Sequence, residues 1–180
     1  MAHIFLIAAA VIAGIAAWYD HRTGHIPNWL TLGSLGIAPV VHFVLTFTRA
    51  NMDAAVLAAG FSLLGAVMVG LVPVVLYRLG GIFGGDVKLL AALGAICGTR
   101  LGVEAELYAF IVAAMFALGK MAYEGKLTRT LGNTLALVGN PVLPKGKRRE
   151  VSPDMMTEMR FGPSIFVGVL ATLLMAWRPL

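Results

Sequence analysis

The stretch AAVLAAGFSLLGAVMVGLVPVVLYRLGGIFGGDVKLL, residues 54–90, determines the class of fold. Residues 54–79 are almost entirely apolar and hold one charged side chain, Arg78, near their end. A run of about 20 apolar residues is enough to cross a bilayer as a helix. Four glycines interrupt the chain over residues 80–85, and a new apolar helix is expected from Asp86 onward. The stretch therefore predicts a membrane span, an irregular segment and a carboxylate in an unusual position.

The rest of the chain repeats the apolar pattern. Of its 180 residues, 59% are hydrophobic and only 13% are charged. This composition, with long apolar runs separated by turn-forming residues, is typical of a polytopic integral membrane protein. We expect an all-α fold of six transmembrane helices with a cytoplasmic loop between the fifth and the sixth. The predicted spans are His3 to Trp18, Trp29 to Phe47, Ala54 to Leu79, Val87 to Gly98, Glu106 to Tyr123 and Phe161 to Trp177.

Basic residues predict the orientation of these spans, because Lys and Arg are retained on the cytoplasmic side. The first, third and fifth connections, with their flanks, hold eleven of the fourteen basic residues. We therefore expect both termini outside and the loops after spans one, three and five in the cytoplasm. The eleven are Arg22, Arg78, Lys88, Lys120, Lys126, Arg129, Lys145, Lys147, Arg148, Arg149 and Arg160, and the other three are Arg49, Arg100 and Arg178.

The fifth connection, residues 124–160, is the one long segment predicted outside the spans. Apolar residues at helical spacing over residues 127–138 predict a short interfacial helix, and a basic stretch with prolines follows over residues 141–153. The basic stretch fits contact with anionic membrane lipid, or alternatively docking of a substrate or a secretion-machine subunit. We expect no nucleic-acid partner, because the basic residues lie in a loop between spans. The whole of residues 1–180 is expected to form one membrane-embedded domain.

The acidic residues point to a site. Of the nine, Asp53, Glu104 and Glu106 are expected on the outer side, and four others belong to or border the long loop. Asp20 ends the first span and Asp86 begins the fourth, so antiparallel spans place both on the same side. Two carboxylates close together near lipid are costly and would have to share a proton. The structural alternatives are that Asp86 caps its helix and that Asp20 pairs with a basic neighbour at the interface.

The depth of Asp86 can be estimated from helix length. The 13 residues from Asp86 to Gly98 make about 20 Å of helix, whereas the hydrocarbon core is about 30 Å thick. If Gly98 reaches the outer interface, Asp86 must lie below the cytoplasmic surface of the membrane. Irregular backbone at that depth is tolerated where it is buried in protein or lines a wet cavity.

Two segments resemble the signatures of the type IV prepilin leader peptidases. Residues 20–28, DHRTGHIPN, resemble Asp-x-Arg-x-x-x-Ile-Pro-Asn, and residues 84–94, GGDVKLLAALG, resemble a second signature built around Gly-x-Gly-Asp. Phe161, Gly162 and Pro163 at the start of the last span are a further similar feature. The resemblance thus extends over most of the chain, and two spaced signatures make it specific.

The resemblance implies an intramembrane-type aspartic peptidase that uses no metal and no other cofactor. Its partners would be a prepilin or pseudopilin substrate and membrane lipid in the inner membrane of a bacterium. Asp20 and Asp86 would be the catalytic pair, one as general base for water and the other as acid. The residues that would support this pair or bind substrate are Arg22, Pro27, Asn28, Gly84, Gly85 and Lys88. The residues themselves also suggest structural roles: Pro27 and Asn28 would break the chain and cap span two, and Lys88 would reach the interface.

The chain departs from the family pattern in two ways. Phe83 stands at the first glycine of Gly-x-Gly-Asp. The longer family members also carry Cys-x-x-Cys pairs in an insertion and methylate the new N-terminus, whereas here eight residues separate Asp20 from Trp29 and Cys97 is the sole cysteine. We expect a peptidase without methyltransferase activity, resembling the short enzymes of tight-adherence pilus systems. The oligomeric state is left open by the sequence.

Other functional classes were compared with this one. A proton-coupled transporter would also use buried carboxylates and a broken helix, but no acidic residue lies in the middle of a span and no inverted repeat is visible. A non-catalytic membrane subunit of a secretion complex is the third possibility. His21 and His25 have the spacing of metal ligands, but Gly24 lies between them and no third ligand is evident. No metal site is therefore expected.

Overall fold

The computed structural model describes residues 2–123 and 160–177, and the regular secondary structure of these residues is entirely helical. Helices α1 to α4 are each long and apolar enough to cross a membrane, and α5 is a shorter apolar helix. An all-helical fold with four candidate membrane spans is therefore confirmed for the described residues, and the count of six spans stays a prediction. The helices are α1 (Ala2–Thr23), α2 (Asn28–Phe47), α3 (Met52–Arg78), α4 (Gly84–Tyr123) and α5 (Gly162–Ala176).

Two helices extend further than their apolar runs. Helix α1 continues past Trp18 to Thr23, and Gly24 follows with a φ of 68°. Asp20 consequently lies in the last turn of a helix. Helix α4 includes residues 99–105, where a loop was expected; Arg100 and Glu104 in this region form an ion pair of 3.4 Å at the i, i+4 spacing of a helix.

The 40-residue helix α4 is interrupted at Gly98, which has a φ of 76° and a ψ of 174°. A Cβ placed on Gly102 would lie 3.0 Å from the Cα of Gly94, although eight residues of continuous helix span about 12 Å. The chain therefore turns back at Gly98, and the segment after it returns along the segment before it. The predicted end of the fourth span coincides with this reversal.

Small residues allow the close approach of these helices. A Cβ on Gly94 would clash with the carbonyl oxygen of Gly65 in α3, so a side chain cannot fit at this crossing. In α1, Ala9 and Ala13 are fully buried, and small residues four apart on a helix allow such close packing in lipid. Many large apolar side chains of α1 to α4 are exposed, which is the arrangement expected of surfaces that face lipid.

Met1–Val112 and Arg160–Leu180 form one compact unit, in which α1 packs on α5 and α2 on α3. Ala113–Met159 form a second unit, of which residues 113–123, the end of α4, are described. The predicted interfacial helix over residues 127–138 and the basic stretch over residues 141–153 lie outside the described residues. The prediction of a single domain over the whole chain stays a prediction.

Candidate active site

Asp20 is held between the end of α1 and the start of α5. Its side chain is only 7% exposed, and its Oδ2 accepts a hydrogen bond of 2.9 Å from the backbone N–H of Gly162. A Cβ on Gly162 would lie 2.8 Å from both Cβ and Oδ2 of Asp20. Glycine at this position therefore lets the backbone of α5 reach the carboxylate.

Asp86 lies in the first turn of α4 and is 3% exposed. Its Oδ2 accepts a hydrogen bond of 3.2 Å from the backbone N–H of Phe83. Because the helix begins at Gly84, Asp86 is its third residue, and the bond has the geometry of a capping box in which this position reaches back to the cap residue. The Asp86 carboxylate thus stabilises the start of the helix, as a capping residue would. It does so from the third position of the helix and uses one of its two oxygens.

The two carboxylates lie near each other. Asp20 is close enough to Asp86 for their charges to interact. Among the described residues, the one salt bridge joins Arg100 to Glu104, so the pairing of Asp20 with Arg22 or His21 that we considered is not found. Two buried carboxylates without a cation as a partner are costly in a membrane protein, which makes the pair a functional candidate.

Each carboxyl group is held through one of its two oxygens. Each Oδ2 is held by a backbone N–H, from Gly162 in one case and Phe83 in the other, and within the described residues neither Oδ1 has a hydrogen-bond partner. Backbone donors fix the orientation of both groups without introducing a competing charge.

The two signature segments contact each other. A Cβ on Gly85 would lie 3.4 Å from the Cβ of Ile26, a buried residue of the connection between α1 and α2. Lys88 donates a hydrogen bond of 2.9 Å from Nζ to Oδ1 of Asn28. These contacts join the start of α4 to the connection that follows Asp20. They account for the positions of Gly85, Lys88 and Asn28 around the carboxylate pair.

One predicted role is wrong. Asn28 was expected to cap the second span together with Pro27, but Pro27 is the cap residue and makes no side-chain capping bond, while the Asn28 amide binds Lys88. The sequence analysis expected the long side chain of Lys88 to reach the membrane interface. The structure shows in addition that it binds Asn28 within the protein. Gly84 makes only an ordinary contact, since a Cβ there would lie 3.7 Å from the ring of Tyr77.

Arg22 is exposed and makes no ion pair among the described residues. Its guanidinium carbon lies 4.6 Å from the ring centroid of Trp18, a cation–π arrangement on the surface of α1. The backbone carbonyl of His21 accepts a hydrogen bond from Arg160, which immediately precedes the start of α5. This second link ties the residues before Gly162 to the last turn of α1, and so helps to fix the donor to Asp20.

The sequence analysis gave no role to two residues that the structure singles out, Gly162 and Glu106. Gly162 was noted as similar to the family but was given no role, although its N–H binds Asp20. Glu106 was assigned to the outer side, yet it is 5% exposed and its Oε1 has no hydrogen-bond partner among the described residues. The chain reverses at Gly98, and Glu106 lies about 12 Å from Gly98 along the helical segment that returns. A buried ionisable group in a membrane protein is a functional candidate by default.

No metal site is evident in the part of the chain that the structure describes, where no three His, Cys, Asp or Glu side chains come together. His21 and His25 are both exposed, and the regular helix ends at Thr23 between them.

Comparison with known proteins agrees with the signatures. A sequence model of the type IV leader peptidase family matches residues 5–118, which include both candidate aspartates. Neither the curated proteins nor the solved structures gave a significant match. The family match covers well over half of the chain. In the structure, the two signature segments contact each other beside the two buried carboxylates. The chain belongs to the type IV leader peptidase family.

Proposed function

We propose that this peptidase is an aspartic endopeptidase that removes the leader of type IV prepilin or pseudopilin substrates, with Asp20 and Asp86 as its catalytic pair. Family membership supports a leader peptidase. The observation that carries the aspartic mechanism is the pairing of two buried carboxylates, each held through one oxygen by a backbone N–H. Neither group has a cation as a partner among the described residues.

The proposed reaction needs only this pair and one water molecule. The ionised carboxylate removes a proton from water, and the oxygen attacks the carbonyl carbon of the scissile peptide bond. The protonated partner donates a hydrogen bond to the carbonyl oxygen and so stabilises the negative charge that develops there. Collapse of the tetrahedral intermediate breaks the C–N bond, and the leaving nitrogen takes up a proton from the pair.

Both aspartates are proposed to face the cytoplasmic side of the bacterial inner membrane, with both termini outside. The charge distribution supports this orientation, because eleven of fourteen basic residues fall on the predicted cytoplasmic side or its flanks. A leader that remains in the cytoplasm would then reach the pair without crossing the membrane. Membrane lipid is the second partner, and the long basic loop is its proposed contact.

We further propose that the enzyme cleaves without methylating its product. The connection between Asp20 and Trp29 has eight residues, and the chain has one cysteine, so the insertion with paired cysteines that accompanies methylation in longer relatives has no counterpart here. The mature substrate would leave with a free, unmodified N-terminal amine.

Co-expression with a candidate prepilin tests both parts of the proposal. A shift in electrophoretic mobility would report cleavage, N-terminal sequencing would give the bond that is cut, and the mass of the mature chain would report methylation. We expect removal of the cytoplasmic leader and an unmethylated N-terminus. An intact substrate together with a pH-driven proton flux in proteoliposomes would instead favour a transporter, and an intact substrate without flux would favour a non-catalytic subunit.

A further inference from the structure

Glu106 carries a buried carboxyl group that the proposed reaction does not use. Its side chain is 5% exposed, and within the described residues its Oε1 has no hydrogen-bond partner. A buried polar atom without a partner lowers the stability of a protein, and an ionisable group inside a membrane bundle is costly. Glutamate at this position therefore needs a role other than stabilising the fold.

The packing of α4 on itself places Glu106 beside the start of that helix. Residues four apart on a helix share a face. The stripe before the chain reversal consists of Asp86, Leu90 and Gly94, and the stripe after it consists of Gly102, Glu106 and Phe110. The two stripes face each other, because a Cβ on Gly102 would lie 3.0 Å from the Cα of Gly94. Four residues further along each half, Glu106 is level with Leu90, which is one turn, or about 6 Å, from Asp86.

A second contact gives the same height from the side of Asp20. The ring centroids of Phe110 and Phe161 lie 5.3 Å apart. Phe161 immediately precedes Gly162, whose N–H binds Asp20. Glu106 is one turn from Phe110 on the same face of its helix, so it is one turn from the height of Asp20 as well. Two independent contacts therefore place Glu106 one helical turn from the aspartate pair, toward the chain reversal.

We propose that Glu106 binds the substrate, by accepting hydrogen bonds from backbone N–H groups in the first turn of the apolar helix that follows the scissile bond. The inference rests on the proposed function, because a leader peptidase acts where a polar leader meets such a helix. In the predicted orientation, this helix runs from the aspartate pair toward the reversal in α4. Glu106 lies in that direction.

The N-terminus of a helix matches a carboxyl acceptor. Its first four N–H groups have no partner within the helix, and a donor left without an acceptor in lipid is costly. The same end carries a partial positive charge, which favours a nearby carboxylate. One turn of helix rises about 5 Å, so the first turn of the substrate comes level with Glu106 when the scissile bond is level with the pair. Because both aspartates are buried too, a substrate that reaches them must displace the side chains that cover this region.

The kinetics of Glu106→Met test the proposal, with Glu104→Met as the matched control. Glu104 lies two residues away on another face of the same helix, and its side chain is 40% exposed. Loss of a hydrogen bond to a carboxylate should raise the KM for a prepilin in proteoliposomes about tenfold and leave kcat unchanged. Glu104→Met should keep both wild-type values. Glu106→Gln, which retains an acceptor oxygen, should recover most of the lost affinity.

A purely structural role gives a different pattern. If Glu106→Met loses thermal stability, or lowers kcat without raising KM, Glu106 acts on the fold or on the aspartates and the proposal is wrong. A wild-type KM in Glu106→Met would also overturn it.

Disulfide crosslinking measures the contact without relying on activity. Glu106→Cys or Glu104→Cys is combined with Asp86→Asn, and Cys97→Ala removes the one native thiol. The prepilin carries single cysteines at the first eight positions after the scissile bond. We expect disulfides from residue 106 to the first four positions, none to the eighth, and none from residue 104. Equal yields from residues 104 and 106, or no adduct from residue 106, would contradict the proposal.

These outcomes are distinct from a failure of the proposed function. If the wild-type enzyme does not process the prepilin, the proposed function fails for that substrate. If the wild type processes it, but Glu106→Met has the wild-type KM and Glu106→Cys gives no prepilin adduct, only the binding role of Glu106 is wrong.

Discussion

Gly162→Ala is the most informative change near Asp20, because it disturbs the position of Asp20 without substituting either aspartate. The added Cβ would lie 2.8 Å from Oδ2 and Cβ of Asp20, whereas ordinary contacts begin at 3.4 Å, so the groups must separate by 0.6 Å (3.4 − 2.8). The φ of Gly162 is not positive, so alanine introduces no backbone strain of its own. A displacement of 1 Å in a catalytic group can lower a rate about 10²-fold, and on that scale a shift of 0.6 Å lowers kcat roughly tenfold.

The assay is the initial rate of prepilin processing by purified enzyme in proteoliposomes, at several substrate concentrations. We expect kcat to fall and KM to change little, because the carboxylate acts in the transition state more than in substrate binding. Gly36→Ala in α2 is the control, since a Cβ there meets no atom within 4 Å. If Gly162→Ala has the kcat of Gly36→Ala, the contact with Asp20 does not position a catalytic group.

Three further predictions follow from contacts around the site. The exposed hydrogen bond between Lys88 and Asn28 can be tested with Lys88→Met, Asn28→Ala and the double variant. Thermal unfolding in detergent should show a coupling energy of about 0.5 kcal/mol between the two substitutions. If the two losses of stability simply add, the bond contributes nothing. Phe83→Gly should process prepilin within about twofold of the wild-type rate because the donor to Asp86 is a backbone N–H, whereas Phe83→Pro, which removes that donor, should be at least about tenfold slower. Glu106→Met should retain or raise the midpoint of thermal unfolding because it removes a buried oxygen without a described partner, and a fall of several degrees would reveal one.

The sequence predicted where most helices lie but not how far they extend. The bounds of α2, α3 and α5 agree with the apolar runs to within two residues. Helix α1 continues past its apolar run because backbone hydrogen bonds do not require apolar side chains, and it ends where Gly24 adopts a positive φ. The helical segment after Gly98 was read as a loop because it carries Arg100 and Glu104, although charges four residues apart also stabilise a helix.

The sequence predicted that Asp20 and Asp86 would lie on the same side of the membrane. It did not predict the backbone N–H groups that bind them. Asp20 and Asp86 were expected together because they end one predicted span and begin another that is too short to cross the bilayer. The bond from Gly162 to Asp20 joins residues 142 positions apart, and no local pattern encodes such a contact. The burial of Glu106 depends on the sharp reversal at Gly98, which hydropathy does not register. Long-range contacts of the backbone are thus what the structure adds.

The central claim is that Asp20 and Asp86 together carry out the cleavage, and isosteric substitution tests it most directly. Asp20→Asn, Asp86→Asn and the control Asp53→Asn, an exposed acid at the start of α3, are reconstituted in proteoliposomes with a prepilin that the wild type processes. Loss of a general acid or base should lower the processing rate by on the order of 10³-fold in each of the first two variants and leave Asp53→Asn unchanged. Processing at the wild-type rate by either Asp20→Asn or Asp86→Asn would contradict the account.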